Sequence, residues 1–292
     1  MYTHQNFLRN IKANYDIMKE KKFKGFFMSE KRIPFVPADD LSKLWRAIIE
    51  FDMLAPGDRI LIGLSGGKDS MFLTAALAEI KKYSPIPFDL ACYTVNAMFA
   101  PDFPKKELEE FCQQYGLEHY HDDVDINAAW QGKGSTPCFT CAYFRRAATN
   151  RRALELGFNK VALAHHHDDA VETFFMNLFT SGQLRTFLPV TPLSRTGLTV
   201  LRPLLYYRES EVRELVDKLE LKPLKNPCPF DGFTTRQDVK EHIAALNDQY
   251  PEVYEHLAAA MRCTDKQELW PDKLNQKELA QKFRAFWNKK NK

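Results

Sequence analysis

A glycine-rich stretch, Ser65-Gly66-Gly67-Lys68-Asp69-Ser70, has the residue types that bind a phosphate group. Two successive glycines let the backbone curve closely around an anion, because they carry no Cβ. The serine hydroxyls, the Lys68 ammonium and the free N–H groups of a helix start can then donate to phosphate oxygens. A carboxylate beside such a cradle needs a cation between itself and the phosphate, so Asp69 predicts bound Mg²⁺. The stretch therefore predicts a nucleotide phosphate site.

This loop differs from two common glycine-rich nucleotide loops. A Walker A loop needs a glycine five residues before its Gly-Lys pair and Ser or Thr after the lysine. Ile62 occupies the first of these positions and Asp69 the second. The dinucleotide pattern G-x-G-x-x-G does not fit either. The sequence therefore indicates a third kind of phosphate loop.

Three of the six cysteines have the spacing and setting of metal ligands. Cys138 and Cys141 are three residues apart at a predicted helix start, and Cys228 lies between two prolines, 87 residues after Cys141. Arg145 and Arg146 follow the pair. These cations and the helix end are expected to lower the pKa of the paired thiols. Cys138, Cys141 and Cys228 are therefore our candidate metal ligands.

The spacing does not identify the metal. A closed zinc site needs a fourth ligand, for which His165, His166 and His167 are candidates. A [4Fe–4S] cluster can be held by three thiolates with one iron left open for an exogenous ligand. A Cys-x-x-Cys redox pair without metal is the third interpretation. All three stay open on spacing alone.

Two adjacent carboxylates are further candidates for the site. Asp168 and Asp169 follow a predicted strand at residues 160–164, at the edge where open α/β sheets bind ligands. We expect a role in the site, with Asp169 near the Mg²⁺ that Asp69 predicts; a helix cap and first-turn acid is the alternative. The neighbouring histidines, residues 165–167, are expected to contact phosphate or RNA.

The elements around these residues alternate between strand and helix from residue 57 onward. This order is typical of parallel βαβ units and predicts the α/β class with a doubly wound, mostly parallel sheet. The apolar patterns predict strands at residues 59–64, 88–95, 118–121, 160–164 and 199–202, and helices at 69–83, 104–115, 139–156, 169–179 and 209–219.

Regions outside the sheet are predicted to be helical. A basic N-terminal arm precedes a helix that Asp40 caps and that runs to about Phe51. We therefore divide the chain into an arm and helix at residues 1–55, a nucleotide domain at 56–220 and a helical C-terminal region at 221–292 that carries the third cysteine.

The composition is that of a globular protein. The 292 residues are 45% hydrophobic and 27% charged, and no apolar run approaches the ~18 residues of a membrane helix. No secretory signal is recognisable at the start, so we expect a cytoplasmic protein with no membrane partner. In that compartment disulfides are not expected, and Cys92 and Cys112 fit the core as small apolar residues.

Positive charge is concentrated at both ends. The first 33 residues hold eight Lys or Arg against three Asp or Glu, and residues 265–292 hold eight against four. Two basic ends around a mildly acidic body favour a polyanionic partner such as RNA. Solvated, unbound termini are the alternative.

The phosphate loop resembles that of the N-type ATP pyrophosphatases (PP-loop superfamily). These enzymes split ATP between the α and β phosphates and adenylate a substrate oxygen. Within that superfamily, over roughly residues 40–260, the chain is similar to the tRNA 2-thiocytidine synthetase (TtcA) group. The similarity lies in the phosphate loop, Cys-x-x-Cys followed by paired arginines, a third cysteine, the stretch Ala164 to Asn177, Leu201-Arg202-Pro203-Leu204 and Arg236-Gln237. The group typically has a second Cys-x-x-Cys where this chain has only Cys228.

The resemblance implies a mechanism and a set of partners. Residues 65–70 would bind ATP, and the three thiols would hold a [4Fe–4S] cluster that delivers sulfur to C2 of a pyrimidine, with release of AMP and pyrophosphate. Arg145 would stabilise developing negative charge. The implied partners are tRNA, a sulfur donor such as a cysteine desulfurase, and a second copy of the chain in a homodimer.

Three rival functions remain at this point. The same thiolation can use a cysteine persulfide on Cys138 or Cys141 without a cluster. A lysidine-type synthetase has the same loop but attacks with an amine and needs no cysteines. A cluster-bearing sensor or nucleotide-binding regulator would not turn over at all.

Overall fold

The computed structural model of the protein describes residues 35–99, 103–126, 137–224, 228, 235–262 and 275–288. The predicted arm before residue 35, the residues just before Cys138 and most of the Cys228 loop lie outside these ranges, as does Cys263. The predicted domain boundaries at residues 55 and 220 stay a prediction.

Alternating strands and helices form the described fold, as the sequence predicts. The strands are β1 (Asp58–Gly63), β2 (Phe88–Asn96), β3 (Glu118–Asp123), β4 (Lys160–Ala162), β5 (Val190–Pro192) and β6 (Thr199–Leu201). The helices are α1 (Ser42–Glu50), α2 (Lys68–Tyr83), α3 (Lys105–Gln114), α4 (Pro137–Glu155), α5 (His167–Ser181), α6 (Glu209–Lys218), α7 (Thr235–Gln249), α8 (Val253–Ala260) and α9 (Gln276–Asn288).

The described strands form one sheet in the order β3-β2-β1-β4-β6-β5. All neighbouring pairs are parallel except β5 and β6, which are antiparallel. The strand order reverses at β1 and β4, which makes this the doubly wound α/β sheet that the sequence predicts. The crevice outside the carboxyl ends of such strands, at the point of reversal, is where this architecture binds ligands.

Successive side chains of a strand point to opposite faces of the sheet, so the apolar runs of the central strands contribute to a core on each face. In β1, Ile60 and Ile62 belong to the core under α1, α2, α3 and α6, whereas Leu61 belongs to the core under α4. In β2, Cys92 and Tyr93 divide between the two faces in the same way. A third, smaller core joins α5 to α7 and α8. The sheet is thus covered on both sides.

Of two sequence predictions outside the site, the core position of two cysteines is confirmed and the helix cap at Asp40 is not. Cys92 and Cys112 are fully buried, so their prediction as core residues is confirmed. The predicted helix cap at Asp40 is wrong: α1 follows Leu41 with no side-chain cap, and the Asp40 carboxylate instead accepts from Lys218 Nζ at 2.7 Å. The edge strand β5 was not predicted, because three residues give too short a pattern to recognise.

No helix in the described ranges is both long and apolar enough to cross a bilayer.

Candidate functional site

The phosphate loop is the turn from β1 into α2, and its own side chains shape it. The Ser65 and Ser70 hydroxyls lie 3.1 Å apart, and the Ser65 N–H donates to Ser70 Oγ at 3.1 Å. Ser70 Oγ donates to the Gly67 carbonyl at 3.0 Å. Gly67 has no side chain with which to cap α2, so the first N–H groups of that helix remain available to an anion.

Gly66 is the position where the loop needs glycine. Its φ of +82° lies in the left-handed region, and a Cβ there would meet the side chains of Leu224 and Leu108 at 3.3 to 3.4 Å. The Leu224 N–H donates to the Gly66 carbonyl at 2.9 Å. The chain after α6 is therefore fixed directly onto the phosphate loop.

The lysine of the loop is held between two carboxylates. Lys68 Nζ lies 3.0 Å from Asp69 Oδ2 and 3.0 Å from Glu209 Oε1 in the first turn of α6. Glu209 also accepts from Lys240 on α7. Burial alone would raise the pKa of Glu209, but the hydrogen bonds from Lys240 and Lys68 outweigh it and lower that pKa to about 2. Glu209 therefore stays charged and keeps Lys68 at the loop.

Asp69 has one oxygen left without a partner. Its Oδ2 contacts Lys68, whereas Oδ1 is buried and has no hydrogen-bond partner among the described residues. His166 Nε2 lies 3.9 Å from this Oδ1. A buried, unpaired carboxylate oxygen is costly unless a ligand completes it. Asp69 Oδ1 is therefore the atom best suited to a divalent cation in this loop.

The two neighbouring acids are occupied by protein groups. Asp168 is buried and accepts from the Arg208 guanidinium at 3.1 Å and from the Glu209 N–H at 2.8 Å. Asp169 Oδ2 accepts from the His166 N–H at 2.9 Å, and Oδ1 lies 3.3 Å from Arg236 Nη1. Both carboxylates therefore already accept hydrogen bonds from protein groups, and the predicted proximity of Asp169 to Mg²⁺ stays a prediction. Asp168 instead fixes the start of α6, and with it the carboxylate of Glu209.

His166, rather than either aspartate, caps α5. Its Nδ1 accepts from the Asp169 N–H at 3.4 Å, which completes a reciprocal capping box. The other ring nitrogen, Nε2, lies 3.9 Å from Asp69 Oδ1. Of the three histidines, His166 is therefore the one that the fold places between α5 and the phosphate loop.

Arg236 connects the start of α7 to α5. Its guanidinium contacts Asp169, Glu172 Oε2 at 3.1 Å and Thr173 Oγ1 at 3.1 Å. Burial raises the pKa of Glu172, and the charge of Asp169 adds to that shift, while Arg236 opposes it. This cluster holds the chain that follows the Cys228 loop against α5.

The cysteine pair lies in the first turn of α4. Cys138 is exposed and Cys141 is partly buried. Burial is the largest cause that raises the pKa of Cys141, and the charges of Cys228 and Cys138 add to it, while Arg145 acts in the opposite direction. The predicted lowering of the pKa is therefore wrong for Cys141, because burial outweighs the arginine. The same interactions indicate that the thiols of Cys138 and Cys228 lie within electrostatic range of Cys141.

Cys228 is close to the phosphate loop by chain length alone. It follows Leu224 by four residues, and a chain spans at most about 3.6 Å per residue. Because the Leu224 N–H is bonded to Gly66, the Cα of Cys228 lies within about 15 Å of the Leu224 backbone on that loop. The three thiols and the loop thus share the edge formed by the carboxyl ends of the strands.

The residue types at the cysteines are compatible with an iron–sulfur cluster, because three thiolates are the protein ligands of a [4Fe–4S] cluster with one open iron. Within the described ranges, no three His, Cys, Asp or Glu side chains stand close enough together to hold a metal ion. The buried Nε of Arg145 has no hydrogen-bond partner among the described residues, and the charge of Arg145 acts on Cys141. The thiols therefore have the chemistry of cluster ligands without forming a closed metal site as the side chains stand.

Sequence reasoning missed Glu209, Lys240 and the role of Arg208. Arg208 and Glu209 follow the stretch 201–204 by only a few residues. Adjacent residues of opposite charge are typical of an ordinary solvated helix start, so the sequence does not distinguish them. Only the tertiary pairing of α6 with the phosphate loop gives these side chains a role in the site.

Comparisons with known proteins agree with this geometry. Residues 41–243 match the model of the PP-loop domain family. The tRNA-cytidine(32) 2-sulfurtransferase of Dichelobacter nodosus is 35% identical over 248 residues, which cover 82% of this chain and 92% of that protein. The protein of the same name from Ralstonia pickettii is 33% identical over 225 residues, covering 76% and 71%.

A solved structure has the same fold. The U34-tRNA thiolase NcsA from Methanococcus maripaludis, determined with its [4Fe–4S] cluster, superposes with a TM-score of 0.61 over 76% of each chain at 24% sequence identity. The family match and the curated relatives, together with the phosphate loop and the sheet topology, show where the chain belongs. This protein belongs to the PP-loop family and, within it, to the TtcA-like group of tRNA sulfurtransferases.

Proposed function

We propose that this protein uses ATP to replace the C2 carbonyl oxygen of a cytidine in tRNA with sulfur. The carbonyl oxygen attacks the α phosphorus of ATP, the bond to the β phosphate breaks and pyrophosphate leaves. A sulfide-level sulfur then attacks C2, the C2–O bond breaks and AMP leaves with the original oxygen. Adenylation is needed because a carbonyl oxygen is a poor leaving group and AMP is a good one.

One observation carries this proposal: the segment with the third cysteine is fixed to the phosphate loop. The Leu224 N–H binds the Gly66 carbonyl at 2.9 Å, and Arg236 binds Asp169 on the other side of Cys228. Both ends of the Cys228 loop therefore contact elements of the nucleotide site. Such a connection is expected if the sulfur centre and the adenylated oxygen must meet in one cavity.

The phosphate loop has the groups that ATP needs. Ser65, Ser70 and the free N–H groups at the start of α2 donate to the β and γ phosphates, and Lys68 neutralises charge there. Mg²⁺ bound at Asp69 Oδ1 would offset the negative charge that develops on pyrophosphate. Asp168 acts in this account by positioning Glu209, which holds Lys68, and Asp169 acts by holding Arg236 and the His166 N–H.

The thiols of Cys138, Cys141 and Cys228 would hold the [4Fe–4S] cluster. When bound, a cluster with three protein ligands supplies the sulfur nucleophile through its remaining iron. Arg145, whose buried Nε has no partner among the described residues, is placed to stabilise negative charge beside Cys141. The solved tRNA thiolase named above carries a cluster of this type, which supports the assignment.

The substrate and partners follow from the relatives and from charge. The curated relatives are named for cytidine 32 of tRNA, and we extend that nucleotide to this chain. The basic segments at both ends of the chain would contact the tRNA backbone. A cysteine desulfurase as sulfur donor, a homodimeric state and a cytoplasmic location complete the proposal.

The test combines a cysteine variant with two separate readouts. Anaerobically reconstituted protein is incubated with ATP, Mg²⁺, sulfide and an unmodified tRNA transcript with cytidine at position 32. Pyrophosphate release and thionucleosides, by mass spectrometry, are both measured. Cys228→Ser should abolish thiolation and leave RNA-dependent pyrophosphate release, and Cys112→Ala, at a buried cysteine outside the site, should retain both.

Each rival function predicts a different result. Thiolation with fewer than about one iron per chain, where the cluster requires about four, would favour a persulfide. Product formation that survives Cys228→Ser would favour a lysidine-type reaction. A full cluster without RNA-dependent pyrophosphate release would favour a sensor.

A further inference from the structure

A cavity of about 850 Å³ lies next to the candidate site and is not part of it. It is enclosed by α1, the start of α5, the loop before β5, the turn into α6 and α8. Its volume is in the range of sites that hold small ligands, about 300 to 1,000 Å³. Its lining contains no residue of the phosphate loop and no cysteine. A group bound here therefore contacts neither the phosphate loop nor the cysteines, although Arg208, which holds Asp168, lines the cavity.

The cavity and the candidate site share a wall. His167, which lines the cavity, directly follows the capping residue His166. Phe187 also lines it, with its ring centre 5.1 Å from that of His165 and 4.9 Å from the Arg202 guanidinium. A ligand in the cavity is thus one side chain away from the histidines at the site.

A cationic and aromatic stack forms one side of the cavity. The Arg46 guanidinium lies 4.3 Å from the ring centre of Tyr206, and the Phe51 ring stacks on the same tyrosine at 6.0 Å. Arg46 is substantially exposed on α1 and lines the cavity. Guanidinium planes and aromatic rings are the two surfaces on which proteins stack unpaired RNA bases.

The charge of this stack is positive. Arg46 Nε lies 3.2 Å from Glu50 Oε2, and Arg262 Nη1 lies 2.9 Å from Oε1 of the same carboxylate. Two guanidiniums therefore share one carboxylate and keep an excess of one positive charge. That excess suits a single phosphodiester, whereas a free nucleoside triphosphate needs a denser donor set such as the phosphate loop.

We propose that this cavity binds a second unpaired ribonucleotide of the RNA substrate, close in sequence to the one that reacts. Its base stacks on Arg46 above Tyr206, and its phosphate lies at Arg262. Binding there positions the reacting nucleotide across the shared wall. This inference rests on the proposed function only in that the substrate is RNA.

The first test measures RNA affinity in two variants, one that removes positive charge from the cavity and one that removes negative charge. The full-length holoprotein is titrated with the fluorescent tRNA transcript. The double variant Arg46→Gln/Arg262→Gln should weaken binding about tenfold and lower the slope of log affinity against log salt by about one. Glu50→Gln should tighten binding, because it frees both arginines. Arg195→Gln, an exposed arginine in the turn between β5 and β6, is the matched control.

The second test identifies the occupant. A photo-crosslinking amino acid is placed at Leu188, which lines the cavity. It should crosslink to one unpaired nucleotide of the tRNA that is not the reacting one. Free AMP and ATP should not compete with that crosslink. Three results would each overturn the inference. The first is a crosslink to the reacting cytidine, and the second is competition by a free nucleotide. The third is the absence of any crosslink together with unchanged RNA affinity in both the double arginine variant and Glu50→Gln.

The two proposals fail in distinguishable ways. Normal thiolation with affinity unaffected by the cavity variants would leave the proposed function intact and remove the second nucleotide site. A mapped crosslink and weakened binding without any thionucleoside would keep the RNA site and remove the thiolation.

Discussion

The phosphate loop and the three-thiol centre occupy the same edge of the sheet but are built in opposite ways. The loop is six consecutive residues that hydrogen-bond to one another, so a short sequence specifies its shape. The thiol centre combines the first turn of α4 with a residue 87 positions later. Its geometry depends on the contacts of Leu224 and Arg236 with other elements. In the proposed function, a local motif would therefore position the nucleotide, and long-range packing would position the sulfur chemistry.

The largest effect is expected when the loop loses its cation. Lys68→Gln removes the ammonium between Asp69 and Glu209. In the proposed function, this ammonium would neutralise the departing pyrophosphate. We expect both pyrophosphate release and thiolation to fall by about 10²-fold to 10³-fold, the cost of one transition-state donor. Kinetics of pyrophosphate release measure this. Loss of thiolation alone would mean that Lys68 serves the sulfur step instead.

A smaller effect on both steps is expected from Gly66→Ala. The left-handed φ of +82° costs a Cβ-bearing residue roughly 1–2 kcal/mol, and the new methyl presses on Leu224. Because Leu224 connects the loop to the Cys228 segment, we expect the iron content to fall along with ATP affinity. Iron analysis and urea unfolding check this. Weaker ATP binding with full iron content would show that the two regions are independent.

The carboxylate on α6 is expected to affect the nucleotide step and spare the cluster. Glu209→Gln keeps the shape of the side chain but replaces its carboxylate with a neutral amide, which removes the charge that holds Lys68 and Lys240. We expect the KM for ATP to rise several-fold, about 1 kcal/mol, with iron content unchanged. Asp168→Asn, which loosens the start of α6, should shift the same parameter in the same direction.

Conversely, Arg145→Gln should affect the thiols and spare ATP. Arg145 lowers the pKa of Cys141 against the larger opposite effect of burial, so its removal raises that pKa further. The thiolate fraction then falls, and alkylation of Cys141 by iodoacetamide in the metal-free protein should slow several-fold at pH 8. Arg146→Gln, at an exposed residue, is the matched control. Equal rates in both variants would contradict the placement of Arg145.

The smallest effect is a dependence of stability on pH. The pKa of Glu209 is lowered to about 2 in the folded protein, from an ordinary value of 4.5. Its stabilising contribution is thus complete above the ordinary value and is lost as the pH falls toward 2. The difference in the free energy of unfolding between wild type and Glu209→Gln should narrow from pH 6 to pH 3. Parallel curves would mean that the Lys68 and Lys240 pairs do not stabilise the fold.

Much of the fold could be predicted from the sequence because its signals are local. The continuous apolar runs within residues 58–63 and 88–96 and a glycine after α3 depend on neighbours in the chain. The loop was found for the same reason. The role of Asp168 and the pairing of Glu209 with Lys68 depend on residues that lie far apart in the chain, and their types alone carry no such information. The cap at His166 is local, but histidine is not among the residue types that usually cap a helix, so it was not expected.

In the proposed function, the nucleotide region and the thiol region act on one oxygen atom, the C2 oxygen of the cytidine. An isotope experiment follows that atom, with a tRNA transcript whose cytidine 32 carries oxygen-18 at C2, incubated with the holoprotein, ATP, Mg²⁺ and sulfide. We expect the label to leave in AMP in proportion to the thionucleoside formed. Label recovered in water, or retained in the tRNA while AMP accumulates, would contradict the proposed function.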